Sequence, residues 1–189
     1  MVQPKAPSNP GRRKFLINAT SVVGAGAVAG AVVPFIGSWN PSAKAEAAGA
    51  PARADLSKLL PGEMMIVEWR GVPVYVVKHT QESMSVLNKN LSRLSDPDSL
   101  EDQQPDYARN ELRSRKKGIS VLTAVCTHLS CAPKFYPELG ATDFDSDWQG
   151  GFFCPCHGSK FDLVGRVYAG VPAPTNLPIP PHYFQTEDI

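Results

Sequence analysis

Two short boxes constrain this chain more than any other feature: Cys126-Thr127-His128-Leu129-Ser130-Cys131 and Cys154-Pro155-Cys156-His157-Gly158-Ser159. All four cysteines and two of the four histidines fall inside them. Cys126 and His128 make a Cys-x-His pair, Cys154 and His157 a Cys-x-x-His pair, so each loop carries one thiolate and one imidazole. Two such loops face to face surround a metal with two sulfur and two nitrogen donors. That set suits zinc, or a [2Fe-2S] cluster with cysteines on one iron and histidines on the other.

The remaining thiols bear on that choice. By count alone, four cysteines allow two disulfides, one metal site or a mixture. Cys131 and Cys156 occupy matching places, one per box, and could cross-link the loops over the site. A closed zinc site gains little from such a staple, whereas an exposed redox centre at the tip of two loops gains more. The cluster is the better reading. A membrane-anchored zinc module is the alternative from another class.

The segments around the boxes fit an exported, anchored protein. Residues 1–11 are polar and read as a cytoplasmic tail. Arg12-Arg13 precede an apolar run to Trp39, and paired arginines before a moderately apolar, glycine-containing segment read as a twin-arginine export signal. The run is long enough to span a membrane, and we expect residues 12–39 to stay on as a single-pass anchor. The basic flank puts the N-terminus on the cytoplasmic side and the head in the periplasm of a bacterial inner membrane. Export to that oxidising side permits a disulfide. Residues 40–55, alanine-rich with Pro41 and Pro51, read as a hinge linker reaching roughly 50 Å when extended.

The folded domain is expected over 56–189, with a cluster-binding part at about 124–162. Eighteen prolines and fifteen glycines favour a loop-rich, mainly β body over a helical bundle. A hairpin is expected at Met64–Val77 around Arg70-Gly71, and helical character from Glu82 to Leu94. Ile119 to Val125 should be a strand entering the first box, and Gly151-Phe152-Phe153 a short strand entering the second. Phe161 to Tyr168 reads as a hairpin around Gly165, and Val171 to Pro181 as extended coil. The basic stretch Arg109 to Lys117 reads as a solvated face, with a docking patch as the other option. Net charge is +1, so nothing points to a nucleic-acid partner.

Taken together, the twin-arginine anchor, the linker, Trp69-Arg70-Gly71, the boxes and the proline loop resemble the Rieske iron–sulfur proteins of quinol–cytochrome c reductases. That family implies an antiparallel β-sandwich head with a small two-loop cluster-binding subdomain. The resemblance makes Cys126 and Cys154 ligands of an inner iron, His128 and His157 ligands of an outer one, and Cys131–Cys156 a disulfide. It makes His157 the group that meets quinol and takes its proton, and Leu129 the residue between quinone site and cluster. Ser159 becomes a hydroxyl donor to a bridging sulfide, and Gly170, Pro172 and Pro174 the proline loop, one residue longer than the Gly-Pro-Ala-Pro form. Partners implied are a cytochrome b subunit, a c-type cytochrome subunit and membrane quinol, in a dimeric translocase of which this chain is one subunit. A Rieske subunit of a periplasmic oxidase such as arsenite oxidase is the nearer alternative.

Two further departures from the family pattern stand out. Ser130 replaces a glycine, acceptable if its backbone is not left-handed. Phe161 stands where many members have a tyrosine donating to a cysteine sulfur, which predicts a lower potential than theirs.

Overall fold

The structure is a computed structural model, and it describes residues 9–89 and 91–186. It divides into two compact units, one reaching to Ala47 and the other beginning at Ala48.

The first unit is dominated by helix α1, Pro10–Gly37. Asn9 caps it, its side chain accepting the Arg12 N–H at 3.0 Å, and Pro10 occupies the first turn, where no N–H is needed. Its 28 residues span about 42 Å. It has no buried residue and is long and apolar enough to cross a membrane, with a mean hydropathy of 1.8 in its most apolar window. The helix therefore starts two residues before the position expected from the arginine pair. A second helix, α2, covers Ala43–Gly49. Part of the expected linker is thus helical, because alanine, lysine and glutamate favour helix even without an apolar face to bury.

Two three-stranded antiparallel sheets build the second unit. The first comprises β1 (Met64–Trp69), β2 (Val72–Lys78) and β3 (Ile119–Thr123), in that order. Arg70 (φ 55°) and Gly71 (φ 72°) form the two-residue turn between β1 and β2, both left-handed as a twist-matched hairpin demands. The second contains β4 (Lys134–Thr142), β5 (Asp145–Phe153) and β6 (Lys160–Asp162). Between β2 and β3 lie helix α3 (Gln81–Val86) and short 3-10 turns at Leu91–Arg93 and Asp106–Ala108. The helical character expected to Leu94 thus breaks after α3.

Alternation along the strands sends Tyr75, Val77 and Leu122 to one face of the first sheet, where they meet Phe152 and Phe161 of the second. The Tyr75 and Phe152 rings stack at 5.5 Å, and the Tyr75 hydroxyl donates to the Pro133 carbonyl at 2.7 Å. Leu177 and Ile179, from the proline-rich coil, close this core. In the stretch read as a solvated face, Arg109, Arg115 and Lys117 are exposed, and the structure corrects that reading at Arg113. Its guanidinium is fully buried, donating to the carbonyls of Val164 (2.9 Å) and Leu177 (2.8 Å) and to Gln104 (3.1 Å). Orphan carbonyls of a coil-rich interior are costly, and one planar donor fork satisfies several of them.

Candidate metal centre

Each box is a loop leaving a strand, the first beyond the end of β3 and the second beyond β5. Both loops make the same turn. Cys126 N–H donates to the Cys131 carbonyl at 2.8 Å and Ser130 N–H returns to the Cys126 carbonyl at 3.0 Å. In the second box Cys154 N–H donates to the Ser159 carbonyl at 2.8 Å and Gly158 N–H to the Cys154 carbonyl at 2.9 Å. The fifth residue of each is left-handed, Ser130 at φ 64° and Gly158 at φ 77°. Ser130 therefore does not meet the condition under which replacing glycine is free; it carries the strain of a left-handed residue with a Cβ.

This frame also corrects the idea that Cys131 and Cys156 occupy matching places. By hydrogen bonding, Cys131 is the counterpart of Ser159, and Cys156 that of His128. The two are nonetheless joined in a disulfide, with Cα atoms 6.7 Å apart.

Cys126 and Cys154 are free and buried, each 2% exposed. The His128 and His157 rings face edge to face-on at 4.7 Å, with planes at 87°. His128 is half-buried and its Nδ1 is shut away from solvent without a hydrogen-bond partner, while His157 is exposed. Burial pushes the Cys154 thiol up, and Cys126 beside it adds to that; the N–H groups of Cys156 and His157 act on the sulfur in the opposite sense. Backbone donors aimed at a sulfur stabilise it as a thiolate ligand. Two buried free thiols, an orphaned ring nitrogen and a second imidazole facing it are the donor set a [2Fe-2S] group of mixed ligation needs. The sulfur atoms of Cys131, Cys154 and Cys156 also lie within 4.8 Å of one another, but two of them are spent in the disulfide.

Ser159 is fully buried, its Oγ accepting the Ala173 N–H at 3.0 Å, which leaves its own proton to donate. Thr127 Oγ1 donates to the Thr175 carbonyl at 2.7 Å. The proline loop is thus tied to both boxes, and Thr127 is a contact that sequence reasoning missed, though its place between two candidate ligands was a usable signal. Gly170 (φ 74°), Pro172 and Pro174 are exposed on that loop. Leu129 is 64% exposed beside His128. Phe161 is buried in the core that also holds Cys126 and Cys154. Arg12 and Arg13 are exposed in the first turns of α1.

Two antiparallel sheets bearing two paired Cys/His loops define an iron–sulfur electron-transfer domain of the Rieske class. A family profile described as Rieske [2Fe-2S] domain matches residues 101–181. A second, described as Ubiquitinol-cytochrome C reductase Fe-S subunit TAT signal, matches residues 3–42. The chain is 54% identical over 176 residues to the ubiquinol-cytochrome c reductase iron-sulfur subunit of Allochromatium vinosum, covering 93% of this chain and 85% of that one. It is 44% identical over 187 residues to that of Rhodospirillum rubrum, covering 96% and 92%. A chain of a solved structure titled "Hyperthermophilic respiratory Complex III" aligns with a TM-score of 0.50 at 25% identity, covering 93% of this chain and 97% of that one. The chain belongs to the ubiquinol–cytochrome c reductase iron–sulfur subunits.

Proposed function

We propose that Cys126 and Cys154 hold the inner iron of the [2Fe-2S] cluster and His128 and His157 the outer one, in a head that carries single electrons from quinol to a c-type haem. The observation that carries this reading is the pairing of buried thiols with two facing imidazoles, one exposed. When bound, the cluster supplies a one-electron acceptor in the range ~ −150 to +300 mV, above plant-type ferredoxins because neutral imidazoles replace two thiolates.

This chain's own residues do the rest. His157, exposed at the tip, meets the quinol hydroxyl and takes its proton. Leu129, exposed next to His128, offers an apolar surface suited to packing against a quinone ring and excluding water. Ser159 directs its hydroxyl proton toward the site while its oxygen is held by Ala173. The Cys131–Cys156 disulfide keeps the loops together. Helix α1 anchors the chain with its N-terminus in the cytoplasm, and the head works in the periplasm of a bacterial inner membrane against cytochrome b and c-type cytochrome subunits of a dimeric complex. Quinol's second electron leaves through another subunit.

EPR of the purified complex after quinol addition tests this. A reducible [2Fe-2S] signal with mixed nitrogen and sulfur ligation is expected, and loss of it in His157→Gln. A diamagnetic, zinc-containing head would end the reading.

A further inference from the structure

The proline loop is held at a third point besides its ties to the two boxes. Asn176, at the end of that loop, is fully buried, and both polar atoms of its amide are engaged. Its oxygen accepts the Val167 N–H at 2.8 Å. Its nitrogen donates to the Asp96 carboxylate at 3.2 Å and the Asp96 carbonyl at 3.1 Å, with Ser99 Oγ at 3.3 Å. We propose that Asp96 and Asn176 are positioning residues for the cluster site: together they fix where the proline loop lies and, through Ala173, where the Ser159 hydroxyl points. This role presupposes the cluster assignment proposed above.

The path from the pair to the boxes is short. Asn176 directly follows Thr175, whose carbonyl accepts Thr127 Oγ1 at 2.7 Å, and Ala173 N–H reaches Ser159 Oγ at 3.0 Å. Prolines cannot donate backbone hydrogen bonds, so side chains must set the position of a segment rich in them. The anchor is itself held. Asp96 Oδ1 accepts the Leu100 N–H at 2.8 Å, and its Oδ2 accepts the Glu101 N–H at 3.3 Å. Ser99 is fully buried in a left-handed conformation (φ 53°), a backbone that a residue with a Cβ keeps only where its surroundings impose it.

The two side chains are matched by chemistry. A carboxylate at 96 accepts at both oxygens, and an amide at 176 accepts from Val167 while donating to Asp96. Exchanging them, D96N together with N176D, reverses the donor and preserves both the match and the net charge.

The test is an EPR-monitored redox titration of the purified complex carrying D96N, N176D or both, with hydrogen exchange of residues 171–176 read by mass spectrometry. Each single substitution should lower the midpoint potential and speed exchange in the loop roughly tenfold, the equivalent of one lost hydrogen bond. The double substitution should restore both. In a Ser159→Ala background the single substitutions should move the potential little further, since the hydroxyl they misdirect is gone. Val76→Ala, in the apolar core on the other face of the first sheet, is the control: it should lower Tm and leave the potential in place. D96N, at a partly exposed position, keeps the test readable if N176D fails to fold. Opposite shifts in D96N and N176D would assign the effect to charge alone and overturn the proposal. So would an unchanged potential with an intact [2Fe-2S] signal, or a double substitution no better than the worse single one. Absence of that signal from the unsubstituted complex would instead overturn the cluster assignment.

Discussion

The Ser159 hydroxyl oxygen accepts the backbone N–H of Ala173 at 3.0 Å, so one buried side chain joins the second box to the proline loop. Ser159→Ala should leave a buried N–H without a partner, at about 1–3 kcal/mol of head stability. On the proposed role of Ser159 as a donor to the cluster it should also lower the midpoint potential, since that hydrogen bond stabilises the more negative state. Chemical unfolding and a redox titration read the two effects separately; a loss of stability at unchanged potential would confine Ser159 to a structural role.

Phe161→Tyr should act in the opposite direction. The ring lies in the core shared with Cys126 and Cys154, and a phenolic O–H there can donate to sulfur. A rise on the order of 50 mV is expected, the one-electron equivalent of a hydrogen bond worth ~1 kcal/mol. An unchanged potential would mean that the hydroxyl points elsewhere.

Ser130→Gly should stabilise the head. Ser130 is left-handed at φ 64°, where a Cβ costs about 1–2 kcal/mol, and part of that gain is returned through the greater freedom of glycine in the unfolded chain. The net is roughly 0.5–1 kcal/mol, visible as a higher Tm. Ser130→Val should move it the other way.

Gly151→Ala should abolish the fold of the tip. A Cβ on Gly151 (φ 144°) would stand 2.1 Å from the Phe161 carbonyl oxygen and 2.8 Å from the Asp162 backbone, across the β5–β6 pair. Neither neighbour is a side chain that can swing aside. A loss of at least ~3 kcal/mol and of cluster incorporation is expected; normal iron content and stability would overturn the argument.

Acid sensitivity should trace in part to His79. Its imidazole is buried against the Ser120 hydroxyl at 2.8 Å, and burial holds its pKa down to about 4, against an opposing pull from Asp162. From about pH 6.5 down to 4 the unfolded chain takes up a proton that the native one refuses. Stability is therefore complete above that window and declines as pH falls through it, by on the order of 3 kcal/mol. His79→Gln should flatten that part of the unfolding profile, and an unaltered slope would assign the effect to other groups.

Legibility followed the density of chemistry in the sequence. The boxes, the Arg70-Gly71 turn and the strands entering each box could be read, because metal-ligand spacing and left-handed turn residues leave few alternatives. The β4–β5 hairpin could not, apart from Gly151 to Phe153. Pro137, Gly140 and Gly150 interrupt it, its pairing shifts register between Tyr136 and Leu139, and polar residues hide the alternation. The role of Arg113 was equally hidden, since its three acceptors come from Gln104, Val164 and Leu177, distant in sequence and joined only by the fold. The correspondence of Cys131 with Ser159 required backbone hydrogen bonds, which spacing alone does not reveal.

Each box closes its own turn with two backbone hydrogen bonds, and the proline loop ties down both. The atoms around the electron's landing place are thus fixed by the chain and not by the charge that arrives there. Little nuclear rearrangement need accompany a change of oxidation state, and the speed of transfer should then be governed mainly by distance and driving force between the tip and whichever partner it has reached.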